Sequence, residues 1–528
     1  MESLTYLPVL LPELDISTVK MVLVNLEHSL YEEEELDLFA SDQLTQFAQI
    51  LGQNEIQALF PFYNVLLGAS ELNIREKATT SFGEMVMMYP TYDYMPFIKD
   101  LCNVSIYGKI SAVKLIALVP ESKESFSILK TLSTEKFPPI RKAMSVCVEK
   151  LHNFPKEIID VLFKDPIDSV RVGFARCLPL LCRKEENKSY FMTLAKDVCW
   201  HVRYVCAVNI GKCCDAFPGD ALSDDIQEIT FALLNDEDDQ VRAMAASHIA
   251  DITKKIPPEI IINKILPLAN KLAEDPVVDV RSSLAEAITQ LAPQIGKANC
   301  QKYLFKTIDM CLQDEKTEVQ LKIITTLDYL NHVMVLSQLS QKVLQTVMRL
   351  VNDQNWRCRL QTIELIPDLL LQLQECHFEL IKVSVSVLTD KVYAIRIKAI
   401  ENIKKLLTSF GIEWVKSKIL PSVISLANSP LYLHRTICLN CISQIIPSLS
   451  VETITTIVIP ITLKLLSDKV PNVRFNAIKT FVVCLPLVTP NVIQTRIKPA
   501  LVACKTDKDP DVVLEVGKAL DGVNQFLC

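Results

Sequence analysis

The chain has 528 residues, of which 49% are hydrophobic and 22% are charged, so a large apolar core is available and wholesale disorder is excluded. The 62 acidic residues outnumber the 55 basic ones, and the net charge of −7 argues against nucleic-acid binding, which needs a basic surface to release counterions from phosphates. Only 11 residues are glycine, which favours helices joined by short loops because glycine is costly inside helices.

The cysteine content and the apolar runs predict a location. The 17 cysteines are an odd number without a framework of regular spacings, which is typical of a reducing compartment. No apolar run reaches the roughly 18 residues of a membrane helix, and the apolar stretch from Thr456 to Leu466 is interrupted by Pro460 and Lys464. The first residues, MESLTYLPVLLPELD, lack the basic start of a signal peptide. We therefore predict a cytoplasmic protein without membrane contact, and the nucleus stays open as a second location.

From Glu135 onward, an acidic residue recurs six positions before a basic one. The pairs are Glu135–Arg141, Asp165–Arg171, Asp197–Arg203, Asp236–Arg242, Asp275–Arg281, Asp353–Arg359, Asp390–Arg396 and Asp468–Arg474, and Asp314–Gln320, Ser429–Arg435 and Asp507–Val513 keep the spacing. From Arg203 onward the second position returns every 39 residues, with one step of 37, and the earlier steps are shorter. A period near 40 residues is the signature of HEAT and armadillo arrays, in which each unit is a helix pair packed on its neighbours. The sequence therefore predicts an all-α solenoid of HEAT-type repeats.

The organisation along the chain follows from this period. Residues 1–30 are predicted to form a partial N-terminal capping repeat, residues 31–335 the N-terminal and central repeats, and residues 336–528 the last five repeats. Within one unit, apolar residues between Val392 and Leu407 recur at helical spacing, and Gly411 marks the end of that helix. A second amphipathic segment, 414–427, starts the next unit.

The recurring acidic and basic residues are interpreted as architecture. Asp390 is expected to accept the free N–H groups of the first turn of the helix that follows. The repeated Asp and Arg are expected to form a ladder between stacked loops instead of a set of acid–base sites.

No pattern of catalytic residues is found in the sequence. It contains no glycine-rich phosphate loop and no GxSxG motif. Cys438 and Cys441 form a CxxC motif, but they lie at helical spacing without a second ligand pair, so we predict two buried thiols and no zinc or redox site. The chain is predicted to be no enzyme and to have no catalytic residues, no cofactor and no metal.

Two tryptophans occupy equivalent places in their repeats. Trp200 and Trp356 each lie three residues before the basic position, at Arg203 and Arg359, and are predicted to sit in the loop between the two helices. Loops on one side of a solenoid line its usual binding face, and Trp with Arg is typical of an interaction anchor. Trp356 and Arg357 are therefore predicted to bind a partner. Packing in the core is the alternative for both tryptophans, and for Trp200 the two interpretations are about equally supported.

Several of these loop sequences resemble one known family. The strings are NWRCR (355–359), DKVYAIR (390–396), SPLYLHR (429–435), PNVRFN (471–476) and CWHVRY (199–204). In order and spacing they are similar to repeat loops of the scaffold (A, 65-kDa) regulatory subunit of type 2A Ser/Thr protein phosphatase, over about residues 31–520. The resemblance implies a right-handed, horseshoe-shaped α-solenoid of about 14–15 HEAT repeats, each an antiparallel helix pair.

The resemblance also implies partners and contact residues. It implies a heterotrimer in which the last five repeats bind the phosphatase catalytic subunit, while earlier repeats bind a variable, B-type regulatory subunit. The implied catalytic-subunit contacts are Trp356, Arg357, Val392, Tyr393, Leu431, Tyr432, Leu433, Asn472, Val473, Asp509 and Asp511. The implied regulatory-subunit contacts are Pro138, Arg141, Asp165, Asp168, Trp200, His201 and Arg203. The sequence departs from the family pattern at Asn355, usually basic, at Ser429, usually acidic, and at His201, usually arginine.

Two binding functions therefore compete. A phosphatase scaffold would act by raising the effective concentration of enzyme and specificity subunit for each other. The alternative is a transport receptor of the importin kind, or another HEAT adaptor, which would bind basic cargo on an acidic surface. Such a receptor is usually much longer and lacks the ordered loop sequences quoted above.

Overall fold

A computed structural model describes residues 15–27, 34–151, 154–331, 337–372 and 377–527. Within these ranges the chain forms helices joined by turns and short loops, and no β-strand occurs there. The predicted capping segment 1–30 lies largely outside the described residues, and its described part contains the helix Ile16–Glu27. None of the described helices is both long enough and apolar enough to span a membrane.

The chain divides into two compact units between Ile260 and Ile261. The α-helices of the first unit are Ile16–Glu27, Glu34–Leu51, Phe60–Gly68, Leu72–Met88, Met95–Leu101, Ile106–Ile116, Lys123–Leu132, Pro138–Ala143, Ser145–Lys150, Lys156–Phe163, Asp168–Arg176, Leu178–Leu181, Lys188–Leu194, Trp200–Val208, Ile210–Ala216, Asp224–Leu234, Asp239–Ser247, Ile249–Thr253 and Pro258–Ile260. Short 3₁₀ turns lie at Ile56–Leu59 and Glu185–Asn187.

The second unit continues the same pattern, and its second helices, the helix of each pair that carries the recurring basic position, are longest from Trp356–Gln372 onward. Its α-helices are Leu266–Ala273, Val278–Ala287, Ala292–Asn299, Phe305–Leu312, Thr317–Thr325, Asp328–Asn331, Ser337–Leu350, Trp356–Gln372, His377–Ser386, Tyr393–Phe410, Ile412–Lys418, Leu420–Ser425, Tyr432–Ile445, Val451–Thr453, Ile459–Leu466, Pro471–Cys484, Pro490–Val492, Lys498–Ala503 and Pro510–Leu527. Its 3₁₀ turns are Ile288–Leu291, Val387–Thr389, Leu426–Asn428, Ile446–Ser448, Leu485–Leu487 and Cys504–Thr506.

Second helices of successive repeats pack side by side within each unit. In the second unit Trp356–Gln372 contacts Tyr393–Phe410, which contacts Tyr432–Ile445, and the series continues through Pro471–Cys484 to Pro510–Leu527. The first helix Ile459–Leu466 packs on the second helix of its own repeat. The predicted all-α fold of stacked helix pairs is confirmed. The predicted boundary at residue 335 separates the two partner-binding regions that the resemblance implies, and it stays a prediction.

The unit chosen from the sequence shows why the pattern folds. Its second helix, Tyr393–Phe410, buries the apolar stripe that the sequence predicted. Buried members are Ile395, Ala399, Ile400, Ile403 and Leu406. Gly411 ends the helix with φ +80°, a conformation that a residue with a Cβ adopts only with strain.

One π-helical turn recurs in first helices of the second unit. In the described part of this unit the turns are Ile261–Ile265, Cys300–Leu304, Ile454–Val458 and Ile493–Ile497. In three of them a proline follows two residues later, at Pro267, Pro460 or Pro499. Proline lacks the N–H of a regular helix and clashes with the carbonyl four residues earlier, so the backbone hydrogen bonding shifts locally.

Candidate partner-binding ridge

The loop between the two helices of a repeat is held by one recurring set of hydrogen bonds, which Arg203 illustrates. Its Nη1 donates to the carbonyl oxygen of Asp197, six residues earlier, at 2.8 Å. Its Nε and Nη2 both donate to the carboxylate of Asp236 in the next repeat, each at 2.8 Å. One side chain thus closes its own loop and joins it to the next, which explains the six-residue spacing in the sequence.

The same fork recurs in both units and forms what we call the Arg–Asp ladder. Its members are Arg141–Asp165, Arg171–Asp197 and Arg203–Asp236 in the first unit, and Arg281–Asp314, Arg359–Asp390, Arg435–Asp468 and Arg474–Asp507 in the second. These side chains are between 3% and 15% exposed, and a bidentate, largely desolvated Arg–carboxylate pair holds two loops in fixed register. The predicted ladder between stacked loops is confirmed.

The predicted capping role of Asp390 needs a correction. Its Oδ1 accepts the N–H of Val392 at 2.8 Å, and Val392 precedes the first helical residue, Tyr393. Asp390 therefore orders the loop entering the helix, and the N–H groups of the first turn are not its partners. Its carboxylate also accepts the fork from Arg359, at 3.0 and 3.1 Å. Burial raises the pKa of the Asp390 carboxyl, but the hydrogen bonds from Arg359 and from the Val392 N–H outweigh burial, and the pKa is lowered below its ordinary value.

Among the described residues of the second unit, two positions of the ladder lack the fork. Gln320 keeps the bond to the Asp314 carbonyl through Nε2 but has no charge to offer Asp353, and its Oε1 is buried without a hydrogen-bond partner. Ser429 provides no carboxylate for Arg396, which donates to the Asp390 carbonyl at 2.8 Å and lies 5.6 Å from the centre of the Tyr393 ring.

The first residue of each second helix projects from this frame, and in the second unit three such residues are aromatic. Trp356, Tyr393 and Tyr432 each lie three residues before their arginine, and we call them the aromatic row. Tyr393 is 69% exposed, Tyr432 is 42% exposed and Trp356 is half-buried. Trp356 and Trp200 were predicted at loop tips, and the structure corrects this, because the helices begin at these residues.

The predicted anchor Trp356–Arg357 has the geometry of a cation–π pair. The guanidinium carbon of Arg357 lies 4.9 Å from the centre of the Trp356 ring, and Arg357 is exposed. A groove of about 530 Å³ opens beside it, where Asn355 and Arg357 face Thr317 and Lys322 of the preceding repeat. The anchor therefore combines an amphipathic surface with a neighbouring concavity.

The other predicted catalytic-subunit contacts differ in accessibility. Exposed or partly exposed side chains are those of Val392, Leu431, Leu433, Asn472, Asp509 and Asp511. Val473 is completely buried, because it faces inward from the first turn of Pro471–Cys484. Val473 is therefore a core residue, and its place among the surface contacts is corrected.

The predicted regulatory-subunit contacts comprise buried residues of the Arg–Asp ladder and residues on the surface. Arg141, Asp165 and Arg203 are 8%, 4% and 7% exposed and belong to the ladder, so their side chains support the loops and offer little to a partner. The surface members are Pro138, half-buried, and Asp168, Trp200 and His201, all exposed.

The structure brings three predicted regulatory-subunit contacts, Asp168, Trp200 and His201, together around Cys199, which was not among them. The rings of Trp200 and His201 stack with centres 3.7 Å apart. Cys199 Sγ lies 3.4 Å from Asp168 Oδ2 and 3.8 Å from His201 Nδ1. Aligning the sequences of the two repeats on Arg171 and Arg203 pairs Asp168 with Trp200, which lies between Cys199 and His201. That alignment is the signal in the sequence that could have revealed the cluster.

The CxxC motif behaves as predicted for core thiols. Cys438 and Cys441 are both completely buried in the helix Tyr432–Ile445. Burial raises the pKa of the Cys438 thiol to about 12 and that of the Cys441 thiol well above its ordinary value. Thiols in this environment stay protonated and pack as small apolar groups.

Comparison with known proteins agrees with this architecture. A family model described as PPP2R1A-like HEAT repeat matches residues 220–296, and a HEAT-repeat model matches residues 458–488. The chain is built of HEAT repeats. This HEAT-repeat chain is 37% identical over 105 residues to the beta isoform of the human 65 kDa regulatory (A-type) component of serine/threonine-protein phosphatase 2A, over 19% of this chain and 18% of that protein. The mouse isoform is 36% identical over 90 residues, which are 16% of this chain and 15% of the mouse protein.

Solved structures extend the likeness over nearly the whole length. Kap121p bound to Nup53p aligns with a TM-score of 0.56 and 13% identity, over 97% of this HEAT-repeat chain and 53% of Kap121p. Kap95p, from a structure with RanGDP, aligns with a TM-score of 0.54 and 12% identity, over 96% of this chain and 77% of Kap95p. At this identity the likeness shows a shared fold alone. This chain thus spans about half the length of Kap121p, and its sequence match spans less than a fifth of the phosphatase 65 kDa proteins.

Proposed function

We propose that the chain is a non-catalytic scaffold that assembles a type 2A Ser/Thr protein phosphatase. The loops of its last five repeats hold the catalytic subunit, whereas loops of earlier repeats hold a variable regulatory subunit. The aromatic row, at helix starts that directly follow loops resembling those of the phosphatase scaffold family, carries this proposal. A cytoplasmic location, with the nucleus left open, belongs to the same proposal.

The row has the dimensions of a protein-binding surface. Packed helices lie about 8–10 Å apart, so three successive second helices carry Trp356, Tyr393 and Tyr432 over a distance of about 20 Å. One partner face of standard size, about 800 Å², covers such a distance. Aromatic residues and arginine are the residue types enriched at the centres of interfaces.

The ladder lowers the cost of binding. Arg359 fixes the loop before Tyr393 through its fork to Asp390, and Arg435 fixes the loop before Pro471 through its fork to Asp468. Both forks are already formed in the free chain. Less loop ordering then remains to be done when a partner binds, and preordered contacts give higher affinity for the same contact area. Holding two subunits on one frame raises their effective concentration for each other.

A transport receptor is the competing function, and the Kap121p and Kap95p folds are the observation that favours it. The two functions differ in the partner that binds. A scaffold binds a Ser/Thr phosphatase catalytic chain, whereas an importin-like receptor binds a Ran-type GTPase and basic cargo peptides.

The test measures binding of the full chain to a purified Ser/Thr phosphatase catalytic subunit by calorimetry. Truncating a central anchor costs about 2–4 kcal/mol, so Trp356→Ala with Arg357→Ala should weaken the Kd by about 30- to 700-fold. The matched control is Phe378→Ala with Lys382→Ala, because Lys382 Nζ lies 4.1 Å from the centre of the Phe378 ring, Phe378 is 63% exposed, and both lie on a first helix away from the row.

The control variant should keep the wild-type affinity, and the circular dichroism of both variants should match the wild type. Equal affinities of the anchor variant and the wild type would remove Trp356 and Arg357 from the interface. A wild-type chain that ignores the phosphatase but binds a Ran-type GTPase or a basic peptide would replace the scaffold with the receptor.

A further inference from the structure

Three metal-ligating side chains from two successive repeats meet on the surface of the first unit. Asp168 is the first residue of the helix Asp168–Arg176, and Cys199 and His201 flank the start of the next second helix, Trp200–Val208. One ligand atom from each, Oδ2, Sγ or a ring nitrogen, lies within 4.8 Å of the other two. Within the described ranges of the chain, this is the group of three or more His, Cys, Asp or Glu residues that meets this criterion.

The separations between the ligand atoms suit tetrahedral zinc. With Zn–S of about 2.3 Å and Zn–N or Zn–O of about 2.0 Å, two ligand atoms on a tetrahedral ion lie about 3.5 Å apart. Cys199 Sγ is 3.4 Å from Asp168 Oδ2 and 3.8 Å from His201 Nδ1, on either side of that value. Small side-chain rotations therefore place all three on one ion.

The repeat frame holds each ligand in place. The N–H of Cys199 donates to Asp197 Oδ1 at 2.8 Å, and Asp197 is itself held by the fork from Arg171 at 2.7 and 2.8 Å. Asp168 Oδ1 accepts the N–H of Ser169 at 2.6 Å, which leaves Oδ2 directed toward Cys199. The stacked Trp200 ring restricts rotation of His201. Supporting contacts of this kind orient ligands for a metal.

The chemistry of the donor set selects the ion. A thiolate, a carboxylate and a neutral imidazole carry a combined charge of −2, which balances a divalent cation. Sulfur and imidazole donors favour zinc over magnesium or calcium, which prefer oxygen ligands. Asp168 and His201 are exposed and Cys199 is partly exposed, so an ion can enter from solvent.

We propose that Asp168, Cys199 and His201 bind one zinc ion, which joins two successive repeats and leaves its fourth coordination position open to water or to a ligand from a partner protein. Three protein ligands with an open fourth position form a recognised class of zinc site. This site goes beyond the proposed scaffold function and does not depend on it. It differs from the prediction from the sequence that the chain has no metal ligand, and the experiment below decides between the two.

The test is a titration of the untagged full chain, reduced and stripped of metal, with Co²⁺ as the spectroscopic probe. One equivalent should produce the sulfur-to-cobalt charge-transfer absorption of thiolate ligation together with the visible bands of a tetrahedral ion, and Zn²⁺ should displace it. Cys199→Ser should abolish the charge-transfer band. Asp168→Asn and His201→Gln should each weaken binding by more than about tenfold, because even residues that only hydrogen-bond to metal ligands contribute about 10- to 100-fold.

The matched control uses the other accessible thiols. Among the described cysteines, Cys102 and Cys504 are the two that share the partial exposure of Cys199, so Cys102→Ser and Cys504→Ser should bind cobalt as the wild type does. All of the substituted side chains reach the surface, and unchanged circular dichroism verifies folding of each variant. Wild-type cobalt spectra in Cys199→Ser, loss of the band in a control variant, or no saturable binding by the wild type would each overturn the site.

Discussion

A missing fork of the ladder can be restored with one substitution, Ser429→Asp. The intact forks Arg203–Asp236, Arg435–Asp468 and Arg474–Asp507 each join residues 33 apart in the sequence. Arg396 and Ser429 have the same separation. Among the described residues no carboxylate accepts from Nε or Nη2 of Arg396, although this side chain is only 9% exposed. An aspartate at 429 should therefore receive the fork and accept the Leu431 N–H, as Ser429 Oγ does at 3.3 Å.

The expected gain is the balance of three contributions. Two hydrogen bonds to a charged group contribute about 1.5–3 kcal/mol each. Burying the new carboxylate costs several kcal/mol, but the guanidinium of Arg396 is already desolvated and adds little further cost. The hydrogen bond between Ser429 Oγ and His434 Nδ1, at 3.0 Å, is lost or remade by the carboxylate, a change of about 1 kcal/mol. We expect Ser429→Asp to raise the free energy of unfolding by about 1–2 kcal/mol.

The assay is calorimetric and chemical unfolding of four variants in a double-mutant cycle. Ser429→Asp is combined with Arg396→Met, and Ser429→Asn is the uncharged control of similar size. At about 2–4 °C per kcal/mol for a unit of this size, the unfolding temperature should rise by about 2–8 °C, and only when Arg396 is present. The same gain in the Arg396→Met background, or an equal gain from Ser429→Asn, would refute the fork as its cause.

Two further predictions concern the same ladder. Burial raises and the arginine forks lower the pKa of Asp390 and Asp468, with a net decrease, and the fork from Arg474 lowers the pKa of Asp507. Their contribution to stability is therefore complete above the unfolded-state pKa of about 3.9. It is lost as the pH falls through the lower folded values, so acid unfolding followed by circular dichroism should be less steep in Asp468→Asn. Gln320→Arg should supply the fork that Asp353 lacks and raise the urea midpoint, and no change in the midpoint would contradict this geometry.

The period of the repeat could be predicted from the sequence because one hydrogen-bond network imposes it. A guanidinium that bonds the carbonyl six residues earlier and the carboxylate of the next repeat requires its partners at fixed spacing. The starts of the second helices were harder to predict, because the residues preceding them, such as Val392, Leu431 and Val470, are apolar and provide no side-chain cap. The loop is instead ordered by an oxygen two residues earlier, so the usual N-cap signal is absent.

The aromatic row could be predicted from the repeat period, whereas the accessible contacts and the metal-ligating cluster depend on how the repeats pack. The aromatic row lies at one position of the repeat, so the period alone places its members on equivalent sites. The accessibility of individual contacts needed the structure, because Val473 and the ladder arginines Arg141 and Arg203 lie in first helical turns beside exposed residues and yet are buried. The cluster of Asp168, Cys199 and His201 depends on stacking of two repeats of shortened length, because no single repeat contains all three ligands.

The two missing forks concern the loops that directly precede two members of the aromatic row. Trp356 follows the loop of Asp353, which receives no fork from Gln320, and Tyr432 follows the loop of Ser429, which cannot accept one from Arg396. The middle loop, before Tyr393, keeps its fork from Arg359. The row therefore has a fixed centre and two less constrained ends, which gives a partner a preordered anchor and some room for adjustment. Stability is often lower where a surface has to fit a ligand, and on this view Ser429→Asp should stabilise the chain while making the Tyr432 end of the row more rigid.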